Sequence, residues 1–205
     1  AVVCFDPIGT GRRVEETTRF YDRYPEWSLL GKQVQDAQAA LDALSALKYV
    51  DPERIWVVGY DVGALTAMHL AALDARPAGY GFVCPPLPFH LDTDERETGG
   101  LRRWSHELML IPQMGVFAGH EGRLPYDLDD LMAAMAPRPL VLITPVYDRF
   151  APPSKADAME AAVRAHYDAL GVSDRLVRVT PSKYNHFDNT MQRVLLDAMR
   201  GSDSE

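Results

Sequence analysis

At 205 residues, with 47% hydrophobic and 24% charged side chains, the chain has the length and composition of an ordinary globular domain. A formal net charge of −8 disfavours nucleic acid or an anionic membrane as the main partner, because both attract a basic face. No apolar run approaches the roughly 20 residues a membrane-crossing helix needs, and the pairs Arg12–Arg13 and Arg102–Arg103 are too sparse to make a basic patch.

The elements follow in alternation. Ala1–Phe5 reads as a short apolar strand, closed by the turn Asp6-Pro7-Ile8-Gly9-Thr10-Gly11. Glu15 to Pro25 is polar and aromatic and predicts a short helix and loop. Lys32 to Leu47 sets Val34, Ala37, Leu41 and Leu44 on one helical stripe. A strand Ile55–Val58, a sharp turn over Gly59–Gly63 and a helix Ala64–Leu73 come next. Gly79–Val83 is a further strand, ending at Cys84-Pro85-Pro86. Residues 87–127 then lose the rhythm, being rich in Gly, Pro, His and charge; so long an excursion predicts a lid, placed over 85–127. Asp129–Met135 is a short helix and Leu140–Thr144 a strand. Ser154 can cap a helix that Gly171 ends, and a strand Leu176–Val179 and a helix Thr190–Met199 close the chain.

Short strands alternating with helices of ten or more residues predict an α/β fold with a mainly parallel sheet and right-handed crossovers. Such sheets bind ligands beyond the carboxyl ends of their strands. The turns after the strands are therefore where chemistry is expected. Cys4 and Cys84 are too few for a disulfide framework, and both sit in or beside apolar runs, which predicts two buried free thiols. With no signal peptide in view before Ala1, a cytoplasmic and a secreted location are both compatible with the sequence.

After the strand Ile55–Val58 stands Gly59-Tyr60-Asp61-Val62-Gly63, followed by a helix. This is the G-x-S-x-G elbow with Asp in place of Ser. The two glycines let strand and helix pack closely around a strained residue, which lifts the middle side chain over the sheet edge. The Val62 N–H, opening the helix, is then a candidate oxyanion donor. Asp148 follows the strand Leu140–Thr144, and His186 follows the last strand. Nucleophile, acid and histidine thus occur in the chain order of α/β-hydrolases.

With these positions in hand, residues 1–200 resemble the α/β-hydrolase superfamily, especially its dienelactone-hydrolase-like and acetyl-xylan-esterase-like branch. The matching stretches include Asp51-Pro52-Glu53-Arg54-Ile55, Ala71-Ala72-Leu73-Asp74 and Thr98-Gly99-Gly100-Leu101-Arg102-Arg103. Gly119-His120-Glu121, Pro125-Tyr126-Asp127 and Ala136-Pro137-Arg138-Pro139 add to them. The resemblance implies a single α/β-hydrolase domain over 1–205 and a small-molecule or carbohydrate-ester substrate. It also implies hydrolysis of a carboxylic ester, with Asp61, Asp148 and His186 at the triad positions and Val62 at the oxyanion hole.

Two departures stand out. This branch carries Ser, or Cys in dienelactone hydrolases, where Asp61 stands. A carboxylate suits displacement at an sp³ carbon, as in haloalkane dehalogenases and epoxide hydrolases, which resemble this arrangement but carry Trp where Val62 follows. The second departure is the start. Val2–Phe5 resembles the fourth strand of the fold, with the first three strands missing, so it is expected to pair with Ile55–Val58. A homodimer is one way to cover the apolar surface this leaves. Three readings stay open: an esterase, an alkyl-enzyme hydrolase on a halide or epoxide, and a non-catalytic binder of the same fold.

Other candidates carry plainer readings. Asp61 also suits a turn, Asp148 a helix cap or a pair with Arg149, and His186 a polar loop. His69 reads as a packed or solvent-facing helix residue. His106, His120 and Glu121 match no zinc spacing, so no metal and no cofactor is expected. Trp104, Met109, Met114 and Phe117 fit an apolar pocket or a packed core equally well.

Overall fold

The computed structural model describes residues 2–93, 96 and 98–202. They form two compact units. One comprises residues 1–52 and 92–124, the other 53–91 and 125–205.

The first unit holds α1 (Phe20–Arg23) and α2 (Leu29–Ser45), with short 3-10 turns around them. Ser28 caps α2 by accepting the Gly31 N–H at 2.9 Å. Buried Gln33 donates its amide to the Ile8 carbonyl at 2.9 Å, tying α2 to the N-terminal turn. The segment 92–124 contributes α4 (Gly100–Arg102), which runs on as a π-helical stretch Arg103–Glu107, then 3-10 turns at Pro112–Phe117 and Glu121–Arg123. The Leu30 N–H donates to the Leu110 carbonyl at 3.0 Å, which ties this segment to the start of α2.

The strand expected at residues 1–5 does not form over residues 2–5. Val2 and Val3 are 92% and 53% exposed. Cys4, expected to be buried, is exposed, whereas Cys84 is buried as expected. Apolar sequence makes a strand only where a neighbour takes its backbone N–H and C=O groups, and residues 2–5 enter no ladder with Ile55–Val58.

The second unit is a four-stranded sheet in the order β1-β2-β3-β4, all parallel. Its strands are β1 (Trp56–Tyr60), β2 (Gly79–Val83), β3 (Leu140–Ile143) and β4 (Leu176–Val179). Helices α3 (Val62–Leu73), α5 (Leu128–Ala133), α6 (Pro153–Ala169) and α7 (Asn189–Ser202) accompany them. Successive strand residues point to opposite faces. On one face Val83, Val141 and Ile143 join Met191 and Leu195 of α7 in a buried cluster. On the other, Tyr80, Phe82, Leu140 and Leu142 are fully buried, each contributing about 1.5–3 kcal/mol.

Helix ends follow simple capping chemistry. Gly171, at φ +71, closes α6: its N–H reaches the Asp168 carbonyl and the Val172 N–H reaches that of Tyr167. The start of α6 differs from expectation, because Pro152 is the cap and Pro153 the first helical residue, which leaves Ser154 inside the first turn.

Candidate active site

All the residues singled out at strand ends lie in the second unit. The bend after β1 is built by backbone crowding. A Cβ on Gly59 would sit 2.4 Å from the Gly63 carbonyl oxygen and 2.5 Å from Ala64, so only glycine lets strand and helix approach this closely. Gly63 has no such duty, since a Cβ there meets nothing within 4 Å. The steric role expected of both glycines belongs to Gly59 alone.

Asp61 itself is at φ 50, ψ −113, a region that costs a non-glycine residue about 1–3 kcal/mol. Its N–H donates to the Val83 carbonyl at 3.1 Å, and its carbonyl accepts the Ala64 and Leu65 N–H groups at 2.9 and 3.2 Å. The carboxylate is not used to cap α3. Val62 opens that helix, where backbone N–H groups lack intrahelical partners and carry the positive end of the dipole.

Asp148 is buried in the turn after β3. One carboxylate oxygen accepts the Phe150 N–H at 2.9 Å and the other accepts the Asn185 amide at 3.2 Å. It is therefore neither a cap of α6 nor a surface partner of Arg149. The Arg149 guanidinium lies over the Phe150 ring at 4.9 Å.

His186 is exposed, in the loop between β4 and α7. That loop is laced to the turn after β3 by Val146 N–H to Pro181 carbonyl, 2.9 Å, and Tyr147 N–H to Lys183 carbonyl, 3.0 Å. It is joined to the bend as well. The Tyr60 hydroxyl donates to the Asn185 side-chain oxygen at 2.7 Å, and the Tyr60 and Phe187 rings stack at 5.9 Å. The residues before and after His186 thus both touch the residue before Asp61. Among the described residues, the His186 ring hydrogen-bonds to neither carboxylate.

Cys84 borders this cluster, and nothing in the sequence marks it as doing so. It follows β2 with φ 48 and is buried. Burial, then the charges of Asp148 and Asp61, push its thiol up to about 12, while the His186 backbone N–H acts in the opposite direction. The same three groups, Cys84, Asp61 and Asp148, add to burial in raising Tyr60 above the usual phenol value. Both carboxylates and the His186 backbone N–H therefore act on the one buried thiol. Tyr60 and Asn185 were also missed by sequence reasoning, although each immediately precedes a residue of the elbow-and-histidine pattern.

A second cluster comprises His90, Asp127 and Asp129, whose ligand atoms lie within 4.8 Å of one another. Asp127 is committed to structure there. It accepts the N–H groups of Phe89, His90 and Leu128 at 2.7, 2.9 and 2.7 Å, and a ring nitrogen of His90 at 2.8 Å. Burial, opposed by the His90 charge, raises the Asp129 carboxyl.

Comparison with known proteins bears on the fold. The glucuronoyl esterase of Solibacter usitatus superposes with a TM-score of 0.73 at 18% identity, over 85% of this chain and 49% of that one. A carbohydrate esterase family 15 glucuronoyl esterase from Caldicellulosiruptor kristjansonii gives a TM-score of 0.68 at 21% identity, over 89% of this chain and 55% of that one. The fold is that of an α/β-hydrolase. A family model described as glucuronyl esterase, fungi, matches residues 92–171, a stretch that contains Asp148 but neither Asp61 nor His186. The Bacillus subtilis (strain 168) protein YtaP, whose name ventures a hydrolase without a substrate, is 27% identical over 165 residues, 80% of this chain and 50% of that protein. The chain spans about half the length of each of these relatives. Among the described strands, Asp61 follows the first, Asp148 the third and His186 the fourth. No helix among the described residues is long and apolar enough to cross a membrane.

Proposed function

We propose that this α/β-hydrolase cleaves carboxylic esters, with carbohydrate esters as the substrate class, at the strand-end cluster of Asp61, Asp148 and His186. The observation that carries the reading is the bend. Asp61 is held in a strained conformation at the carboxyl end of β1, while the His186 loop is tied to Tyr60, the residue just before it. The resemblance to glucuronoyl esterases, which are carbohydrate esterases by name, supports the substrate class.

A carboxylate at the elbow changes what the histidine must do. A serine has to lose a proton before it attacks; Asp61 does not. His186 is therefore free to take a proton from water. In the leading scheme that water attacks the ester carbonyl while Asp61 accepts its second hydrogen, Asp148 orients the imidazole, and the Val62 N–H receives the oxyanion. The imidazolium then returns the proton to the departing alkoxide. The identity of Asp61 also supports a second scheme, in which its carboxylate displaces a leaving group at an sp³ carbon and His186-activated water hydrolyses the resulting alkyl ester.

Turnover of p-nitrophenyl acetate and of a glucuronate methyl ester in ¹⁸O-water tests both schemes. The leading one requires ¹⁸O in the released acid and none in Asp61, with His186→Ala about a hundredfold to ten-thousandfold slower. Label appearing in Asp61 after a single turnover of a haloalkane or epoxide would move the assignment to the second scheme. Tight ligand binding without turnover of any of these compounds would overturn both.

A further inference from the structure

Asp148 has two acceptor oxygens, and each faces a different donor. One takes the Phe150 N–H from its own turn; the other takes the side-chain amide of Asn185. A carboxylate can only accept, so Asn185 must present its NH₂ to Asp148. Its carbonyl oxygen is then turned toward Tyr60, whose hydroxyl donates to it at 2.7 Å. The row Tyr60–Asn185–Asp148 has one consistent direction of hydrogen bonding, and each member is next to a different piece of the site. Tyr60 precedes Asp61, Asn185 precedes His186, and Asp148 is the acid itself.

We infer that Asn185 is the positioning residue of the acid, locking the Asp148 carboxylate and the His186 loop into one geometry through its amide while Tyr60 fixes which end of that amide faces the acid. The inference rests on the roles of Asp148 and His186 proposed above. Asn185 acts through Asp148 and needs no contact with substrate.

Asp61 and the Cys84 thiol face this row from the ends of β1 and β2. Lys183 and Asp188, on the same loop as Asn185, pair with each other at 3.0 Å. Arg149 lies over Phe150, and Arg178 reaches the Thr144 hydroxyl at 2.7 Å and ion-pairs with Asp157 and Glu160. Aspartate in place of Asn185 would keep the side-chain shape and put a second carboxyl 3.2 Å from Asp148. Two carboxyls so close share one proton, and the loss of that proton is displaced to higher pH. While the proton is present, an O–H replaces the amide donor. Once it leaves, two like charges push the acid out of place.

The test is the pH profile of ester hydrolysis by Asn185→Asp, Asn185→Leu and Tyr60→Phe, beside the urea midpoint of each at pH 5 and pH 8. Asn185→Asp is expected to gain a falling limb on the alkaline side that the unaltered protein lacks. By pH 8 its kcat should be about a hundredfold lower, with KM within about threefold. Asn185→Leu should lower kcat about tenfold or more at every pH, and Tyr60→Phe about fivefold without a new limb. The urea midpoint of Asn185→Asp should fall further below that of the unaltered protein at pH 8 than at pH 5. This arm needs no turnover, because a carboxyl whose folded pKa is raised loses its contribution as pH rises through that pKa. If Asp148→Asn and His186→Ala abolish activity while Asn185→Asp keeps the unaltered profile and midpoint, the role of Asn185 is wrong and the site stands. If those two variants retain full activity, the site assignment fails, and a midpoint gap equal at both pH values would overturn the hydrogen-bonded row independently.

Discussion

The bend that carries Asp61 and the loop that carries His186 are held by different means. The bend is fixed by backbone: Gly59 crowded against Gly63 and Ala64, the Asp61 N–H on the Val83 carbonyl, and the Asp61 carbonyl under the first turn of α3. The histidine loop is tied to the turn after β3 by two backbone hydrogen bonds and is otherwise held by side chains. Tyr60 reaches Asn185, Asn185 reaches Asp148, Phe187 stacks on Tyr60, and Asp188 both pairs with Lys183 and accepts the Met191 N–H at 2.9 Å. Steric constraint and hydrogen bonding have different vulnerabilities. The first is all-or-none and indifferent to pH; the second can be loosened one group at a time.

Several changes would break or sharpen that contrast. The largest effect is expected at Gly59. Gly59→Ala drives a methyl into backbone atoms that cannot step aside, and a urea titration should show a loss of about 4 kcal/mol or failure to fold. Gly63→Ala meets open space in a helix and should change stability by less than about 1 kcal/mol, in the stabilising direction. Equal losses at the two glycines would refute the crowding argument. Next comes Phe187, whose ring packs against the core cluster as well as Tyr60. Phe187→Ala should cost about 1–3 kcal/mol and slow ester hydrolysis more than it lowers stability, because the loop it anchors bears His186. The smallest effect is expected at Asp188, whose carboxyl is held below the usual range first by the Met191 N–H and then by Lys183. A lowered folded pKa stabilises above the unfolded value and is lost as pH falls through the folded one. Asp188→Asn should therefore fray α7, seen by circular dichroism, at neutral pH, and the difference should vanish well below pH 3.8.

The same division explains what could be read from the sequence. Buried parallel strands are apolar runs, so Gly79–Val83 is found at its true bounds and Leu140–Ile143 within one residue; Leu176–Val179, half-buried and broken by Arg178, is also found at its true bounds. The elbow is legible because Gly59 and Asp61 occupy fixed offsets between a strand and a helix. Residues 92–124 resist reading because their 3-10 and π-helical turns repeat no hydrophobic period, and they fold with residues 1–52. Residues 2–5 mislead for a different reason: their composition suits a strand, but a ladder partner cannot be read from composition. Tyr60, Cys84 and Asn185 are recognisable only once four strand ends meet, since nothing in a linear sequence says that residues 60, 84, 148 and 185 are neighbours.

The two thiols also differ in a way that turns one of them into a gauge. Cys4 stands at the surface, while Cys84 is buried beneath the strand ends with its thiol pushed up to about 12. A maleimide at neutral pH should consume Cys4 within minutes and leave Cys84 untouched until the carboxyl edge of the sheet opens. The second alkylation event, followed by mass, then clocks the lifetime of the closed strand-end cluster.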